Sequence, residues 1–278
     1  GAVHQKLWHF DNFIRDIHID EYKRVWVATY GGGIVRFVEN ENGLSDMVTF
    51  QGQPELRNSL NNSQISQLFV DMTGVIWAAT DNGLNAVMEP IHGFSVLSHI
   101  PGDKNSLVGS GIRCVYEDAY GILWVGTVAN GLTRVNRETN LFQHFVHNPK
   151  DPASLRVNSI TSIIEDRLGT LWIGTWDGGL SKLNSDGKTF THFLQNSKDS
   201  NSLPSNVIQG LLEDREGRLW LNTGNGLSRY DRQQNRFINY QHNPLDPNSI
   251  AVGELQSKAM YLDRHNRLWV GSYGGGIS

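Results

Sequence analysis

The chain has 278 residues, a formal net charge of −4 and eight Trp among its 10% aromatic residues, a composition that argues against disorder. No basic stretch is present, which argues against nucleic acid or an anionic membrane surface as a partner. No apolar run approaches the roughly 20 residues of a membrane span, so a membrane is expected only through other segments of the protein. The single cysteine, Cys114, excludes an internal disulfide.

One short motif recurs six times along the chain, at steps of 51, 47, 48, 48 and 49 residues. Each copy contains a Trp, an Asp six positions before it, and a Thr or Ser three positions after it. The six Trp are Trp26, Trp77, Trp124, Trp172, Trp220 and Trp269, and the six Asp are Asp20, Asp71, Asp118, Asp166, Asp214 and Asp263. A fixed period of this length indicates a repeat protein. We assign these constant residues to a structural core.

Within the fourth copy, the pattern predicts four strands in chain order: a at 158–166, b at 171–175, c at 180–184 and d at 190–193. Strand b is apolar at nearly every position, which predicts a sheet covered on both faces. Four-stranded antiparallel meanders that repeat radially are the blades of a β-propeller. The sequence therefore predicts an all-β propeller, with the Trp wedged between blades and the Asp bonded to turn amides.

The repeats divide the chain into six visible copies, of which the last is incomplete. They span about 11–60, 61–107, 108–155, 156–203, 204–250 and 251–278. Residues 7–10 resemble strand d of the other copies, so we expect them to pair onto the last blade and close the ring. Either the ring closes with a short last blade or a further repeat is missing. We expect 1–278 to be a single propeller within a longer protein.

The loops after strand b differ between copies, which favours a role in recognition, whereas the a–b turns look nearly uniform and are assigned to structure. In a propeller the b–c and d–a loops open onto one face, where ligands usually bind. Aromatic rings beside carboxylates or amides suit sugars, whose C–H faces stack and whose hydroxyls form hydrogen bonds. The candidate ligand-binding residues are Trp176, Asp177, Tyr30, Tyr273, Asp81, Asn82, Asn130 and Asn225. Trp176 is the strongest candidate, because it is additional to the repeated Trp.

The sequence contains no nucleophile motif and no metal-binding motif, so no catalytic residue, metal or cofactor is assigned. Asp81 and Asp177 are the carboxylates that could act as a glycosidase pair. A carbohydrate-active propeller lyase or hydrolase is therefore the alternative function, and a scaffold that binds only protein is a third.

The linker Asn148–Leu155, followed by Glu165-Asp166 and Leu171–Thr175, resembles the two-component regulator propeller repeat, and residues 243–250 repeat the linker. The resemblance implies the periplasmic sensor region of a bacterial sensor or hybrid histidine kinase or diguanylate cyclase. It further implies seven-bladed rings, neighbouring propeller or β-sandwich domains, homodimers and carbohydrate ligands. It transfers no catalytic residue, so we expect this segment to be a non-enzymatic sensor module whose effector domain lies elsewhere.

Overall fold

The computed structural model describes residues 11–40, 43–53, 55–56, 59–88, 93–251, 255–272 and 276–278. The predicted closing strand at 7–10 and the candidate Tyr273 lie outside the described residues. Two compact units are present. The first comprises residues up to Ser98 together with Ser110–Ile112, and the second comprises His99–Gly109 and Arg113–Ser278. No helix occurs among the described residues, so none there could cross a membrane.

The strands form six antiparallel sheets, each from consecutive strands. The first is β1(Phe13–Ile19), β2(Arg24–Tyr30), β3(Gly33–Asn40) and β4(Gly43–Phe50), and the second is β5(Ile65–Val70), β6(Ile76–Thr80), β7(Gly83–Met88) and β8(Gly93–Leu97). The third is β9(Ile112–Glu117), β10(Leu123–Thr127), β11(Leu132–Asn136) and β12(Leu141–Phe145), and the fourth is β13(Ile160–Glu165), β14(Leu171–Thr175), β15(Leu180–Leu183) and β16(Phe190–Phe193). The fifth is β17(Ile208–Glu213), β18(Leu219–Thr223), β19(Gly226–Asp231) and β20(Arg236–Tyr240), and the sixth has three strands, β21(Leu255–Leu262), β22(Leu268–Ser272) and β23(Gly276–Ile277).

These sheets confirm the predicted all-β architecture of four-stranded propeller blades, and the strands fall where the pattern places them. All five residues of β6, β10 and β14 are buried, as expected for a strand covered on both faces. The turn from β13 to β14 contains Gly169 at φ 74°, where glycine avoids the steric cost of the left-handed region. Lys23 and Asn266 adopt similar positive φ values at the same position in their copies.

The repeated Trp packs against the following blade at Trp26, Trp124, Trp172 and Trp220. Trp172 is 1% exposed and shares one apolar cluster with Ile208 and Leu221 of the following blade. Its ring meets the edge of Tyr230, also of the following blade, at 5.2 Å between centroids. Trp269 differs from this pattern, because it is 41% exposed.

A small residue two positions after the Trp allows neighbouring blades to approach closely. A Cβ added at Gly174 would lie 2.8 Å from Cγ2 of Ile208 on the next blade and 2.4 Å from Oγ of Ser162. Gly126 has the same relation to Ile160, at 2.7 Å. Such contacts are too short for any side chain, so the close packing requires glycine at both positions.

Candidate functional site

The repeated Asp forms the centre of a hydrogen-bond network within each blade. Oδ1 of Asp166 accepts from the amides of Leu168 and Thr170 at 2.9 and 3.0 Å, as expected for an Asx turn. Oδ2 accepts from Nε1 of Trp172 at 2.6 Å. Burial raises the pKa of Asp166, but hydrogen bonds from Trp172, Thr170 and Arg232 outweigh burial, so the pKa lies below its usual value.

The indole bond was not anticipated from the sequence, yet it recurs in every copy. The Trp Nε1 to Asp Oδ2 distances are 2.8, 2.9, 2.8, 2.6, 2.7 and 3.1 Å along the chain. The repeated hydroxyl is also bonded internally, because Oγ1 of Thr175 donates to the Gly179 carbonyl at 2.8 Å and thereby closes the b–c turn. The polar groups of the motif are thus directed inward, and the motif's constancy follows from packing and hydrogen bonding.

The b–c turns lie against the d–a links, which are the loops expected on the same face. The Trp176 amide donates to the Ser159 carbonyl at 3.0 Å, and the Gly179 amide donates to Asn206 of the next copy at 2.8 Å. Trp176 is 50% exposed, and Asp177 beside it is exposed and has a φ of 78°. This turn therefore exposes an aromatic residue and, directly after it in the chain, a carboxylate residue.

Two of the candidate aromatic rings have an arginine guanidinium group over them, and neither arginine was among the residues selected from the sequence. The guanidinium carbon of Arg113 lies 5.9 Å from the Trp176 ring centroid, and that of Arg15 lies 5.0 Å from the Tyr30 ring centroid. Both arginines stand five positions before the repeated Asp, on strand a. Strand a is irregular there, since the pairing of β1 with β2 shifts between Ile14 and Asp16. Such a β-bulge redirects a side chain.

The signal that could have found these arginines is sequence variation at one strand position. The six copies have Arg15, Ser66, Arg113, Thr161, Gln209 and Lys258 there. The same register shift occurs at this position in the second, fourth and fifth blades. This position is bulged in the first, second, fourth and fifth blades, yet its residue type differs between them. A fixed backbone with a variable side chain is typical of recognition.

The other candidates are distributed over separate turns. In the first unit, Gln64 connects two of them, because it forms a β-bridge with Tyr30 and its carbonyl accepts from the Asp81 amide at 3.3 Å. Asn82 is exposed, and its carbonyl accepts from Nδ2 of Asn61 at 2.5 Å.

In the second unit, Asn130 and Asn225 are exposed at the tips of their turns. Asn130 packs over Gly109, where an added Cβ would lie 2.4 Å from its Oδ1. The Asn225 carbonyl accepts from Nε2 of Gln241 at 3.1 Å. Among the candidates, Trp176 and Asp177 are thus neighbours in the chain, and Tyr30 and Asp81 both contact the backbone of Gln64.

Cavities also lie at the opposite edge of the blades, on the a–b turns. A cavity of about 730 Å³ in the second unit lies between the third and fourth blades and is lined by Asp118, Tyr120 and Glu165 among others. A cavity of about 290 Å³ in the first unit is lined by Asp20, Tyr22 and Asp71 among others. Among the described residues, no group of three or more His, Cys, Asp or Glu has a metal-binding arrangement.

The a–b turns, which were predicted to be structural, differ between copies at the residue that follows the repeated Asp. That residue is Glu21, Met72, Ala119, Arg167, Arg215 or Arg264 in the six copies. Its side chain extends toward the next blade: Nη2 of Arg167 donates to the Asp214 carbonyl at 2.8 Å, and Nη1 of Arg215 donates to the Arg264 carbonyl at 2.9 Å. Turn geometry depends on the constant Asp and Gly, so this side chain varies while the turn does not.

Comparison with known proteins places these repeats in a family. Residues 106–129, 154–177 and 202–225 match the family model described as two component regulator propeller. Each matched segment contains the repeated Asp, Trp and Thr of the third, fourth or fifth copy. Among curated proteins, none matches the sequence significantly.

Solved structures share the fold. The extracellular domain of a protein named as a hybrid two component system of B. thetaiotaomicron matches with a TM-score of 0.73 and 23% identity over 98% of this chain and 41% of that one. A second such domain from the same organism matches with a TM-score of 0.57 and 21% identity over 100% and 43%. PorZ, a surface component of the type-IX secretion system of Porphyromonas gingivalis, matches with a TM-score of 0.66 and 15% identity over 95% and 38%.

The chain spans about two fifths of the length of these structures, and at these identities the likeness establishes the fold alone. The family itself is identified by the repeat. The third, fourth and fifth copies are thus two-component regulator propeller repeats, and each of them lies in an all-β blade.

Proposed function

We propose that the chain is a ligand-sensing propeller module of a bacterial two-component or similar receptor, placed in the periplasm, and that its b–c face binds an oligosaccharide-like ligand. The observation that carries this proposal is the half-exposed Trp176 ring, which is followed in the chain by the exposed Asp177 and has the Arg113 guanidinium carbon 5.9 Å from its centroid. The repeated Trp is hydrogen-bonded to Asp in each blade, whereas Trp176 is specific to one copy.

This arrangement offers the contacts that a sugar requires. A pyranose ring places its C–H face on an indole, while carboxylate oxygens accept from its hydroxyls and guanidinium groups donate to them. Trp176 supplies the aromatic face, Asp177 the carboxylate acceptor and Arg113 the guanidinium donor. Tyr30 with Arg15 supplies a second aromatic–guanidinium pair in the first unit, at 5.0 Å.

The module itself is proposed to be non-enzymatic, with a kinase or cyclase effector elsewhere in the full protein. Ligand binding changes the output only if the ligand has different affinities for two states of the receptor. Adjacent propeller or β-sandwich domains, or a second copy in a homodimer, would convert that difference into a change of assembly.

Calorimetric titration with neutral and acidic oligosaccharides from plant and host glycans tests the proposal. We expect one or more glycans to bind, and we expect Trp176→Ala to weaken binding by about two- to tenfold, since stacking on an aromatic ring contributes about 0.5–1.5 kcal/mol. The matched control is Tyr22→Ala, which also removes an exposed aromatic ring beside an arginine, at 4.9 Å from Arg24, but on an a–b turn. Unchanged binding in Trp176→Ala would exclude this turn as the site.

The same incubations test the alternative function. New reducing ends or unsaturated products that disappear in Asp81→Asn or Asp177→Asn would establish a lyase or hydrolase and overturn the non-enzymatic assignment. If no glycan in the panel binds or raises the melting temperature, the protein-only scaffold is favoured instead.

A further inference from the structure

The groove between the fourth and fifth blades, on the a–b side, is occupied by two arginines of the chain itself. Nη1 of Arg232 lies 2.8 Å from Oδ2 of Asp166, and its Nη2 lies 3.5 Å from Oε1 of Glu213. Arg167 reaches the same Glu213, with its amide donating to Oε2 at 2.9 Å and its Nε 3.6 Å from Oε1. The Arg232 guanidinium also lies over the Trp172 ring at 5.8 Å.

The groove between the third and fourth blades has the same carboxylates but not the arginines. Counted from the repeated Asp, Ala119 stands at the position of Arg167, and counted from the glycine of strand c, Ser185 stands at the position of Arg232. Asp118 and Glu165 stand at the positions of Asp166 and Glu213. The cavity of about 730 Å³ is found here, and Asp118, Glu165 and Ser185 line it.

The two grooves have equivalent hydrogen bonds at corresponding positions, so they can be compared residue by residue. The Ala119 amide donates to Oε2 of Glu165 at 2.8 Å, as the Arg167 amide donates to Glu213. Oδ2 of Asp118 accepts from Nε1 of Trp124 at 2.8 Å. In the part of the chain that the structure describes, neither Asp118 nor Glu165 forms an ion pair, although Asp118 is only 7% exposed.

Two cations of the chain, Arg134 and Lys182, also line the open cavity. They do not prevent a further cation from binding, because the groove filled by Arg167 and Arg232 also has two cations at the corresponding strand positions. Arg134 pairs opposite Trp124, as Lys182 pairs opposite Trp172, and Arg229 is the residue of the fifth blade that corresponds to Lys182. The filled groove accommodates two further guanidinium groups.

We propose that the open groove between the third and fourth blades binds an arginine side chain of a partner polypeptide, which takes the place that Arg232 occupies in the next groove. A guanidinium group matches carboxylates in a bidentate geometry that an ammonium group does not reproduce. The volume of about 730 Å³ exceeds that of one side chain and leaves room for flanking residues. Tyr120 and Leu168, 86% and 71% exposed, supply apolar surface at the rim for them. This site is independent of the b–c face.

Nuclear magnetic resonance of the indole N–H groups tests the proposal, because the Trp124 indole is bonded to the carboxylate that would receive the arginine. The probes are acetyl-Gly-Arg-Gly-amide and the same peptide with citrulline, which is similar in shape but uncharged. We expect the arginine peptide to shift the Trp124 signal, assigned with Trp124→Phe, and the citrulline peptide to bind at least about tenfold more weakly, as expected for loss of charge-assisted hydrogen bonds. Equal shifts with both peptides, or no shift at Trp124, would overturn the proposal.

Two paired variants use the neighbouring groove as the control. Ala119→Arg with Ser185→Arg supplies the missing arginines, and we expect it to abolish the Trp124 shift. Arg167→Ala with Arg232→Ser opens the filled groove, and we expect the arginine peptide then to shift the Trp172 signal as well. A retained Trp124 shift in the first variant would contradict the assignment. The absence of a Trp172 shift in a folded second variant would contradict it as well. If the opened variant unfolds, the filled variant and the peptide pair still decide the question.

Discussion

Substitution of Asp166 by Ala tests whether the repeated Asp holds the blade together. The change removes the acceptor for the Leu168 and Thr170 amides, the Trp172 indole and the Arg232 guanidinium. Asp166 is 3% exposed, so water does not replace it. Removing one partner of a buried ion pair typically costs about 3–5 kcal/mol, a large part of the roughly 5–15 kcal/mol that stabilises a domain.

Urea denaturation followed by tryptophan fluorescence measures this cost. For a chain of this size, a slope near 3 kcal/mol per molar urea converts the loss into a midpoint lower by about 1–1.7 M. Asp263→Ala is the matched control, because it removes the same bonds from Trp269 and Arg267 where both side chains are exposed to water. A clearly smaller shift is expected for Asp263→Ala. Equal shifts in the two variants would refute the argument that burial makes the network stabilising.

Two other predictions concern packing and pH. Gly174→Ala is expected to destabilise the fold by about 1–3 kcal/mol through overpacking against Ile208, whereas Gly271→Ala, whose added Cβ meets its nearest neighbour at 3.2 Å, should cost clearly less; thermal melts of the two variants compare them. Burial raises the pKa of Asp166 and of Asp214, but their hydrogen bonds lower it further, so their stabilisation is complete above the unfolded value near 3.9 and is lost as the pH falls through the folded values. Urea midpoints measured from pH 6 to pH 2 should fall most below about pH 4, and less steeply in Asp166→Asn; a flat profile would contradict the assignment.

The blade architecture was predictable because the constant residues report directly on local geometry. An Asp before a tight turn, a Gly in that turn and an apolar strand after it determine a hairpin with little help from distant residues. The distance from the position of Gly174 to Ile208 shows why strand b has a small residue two positions after the Trp. The hydrogen bond between the Trp indole and the Asp carboxylate was not predicted. Two residues that recur in every copy need not contact each other, because each can recur for its own structural reason.

The candidate site was less predictable, because a residue that differs between copies cannot be assigned its contacts by comparison with the other copies. Trp176 is exposed at its turn as expected, but Arg113, which lies over its ring, is far away in sequence and reaches the ring from a different blade. The open groove depends on Ala119, which becomes informative only after the structure places Arg167 in the corresponding groove. Sequence identifies the positions that vary, and only packing shows what each change opens or fills.

The most direct test of the account is the indole N–H spectrum of the protein, with its eight Trp, during titration with the glycan that binds most tightly. We predict that the Trp176 signal shifts with the ligand while the signals of the repeated Trp, each bonded to its Asp, stay in place. Shifts of the repeated indoles with an unchanged Trp176 signal would contradict the division of the chain into a constant packing motif and a variable recognition face.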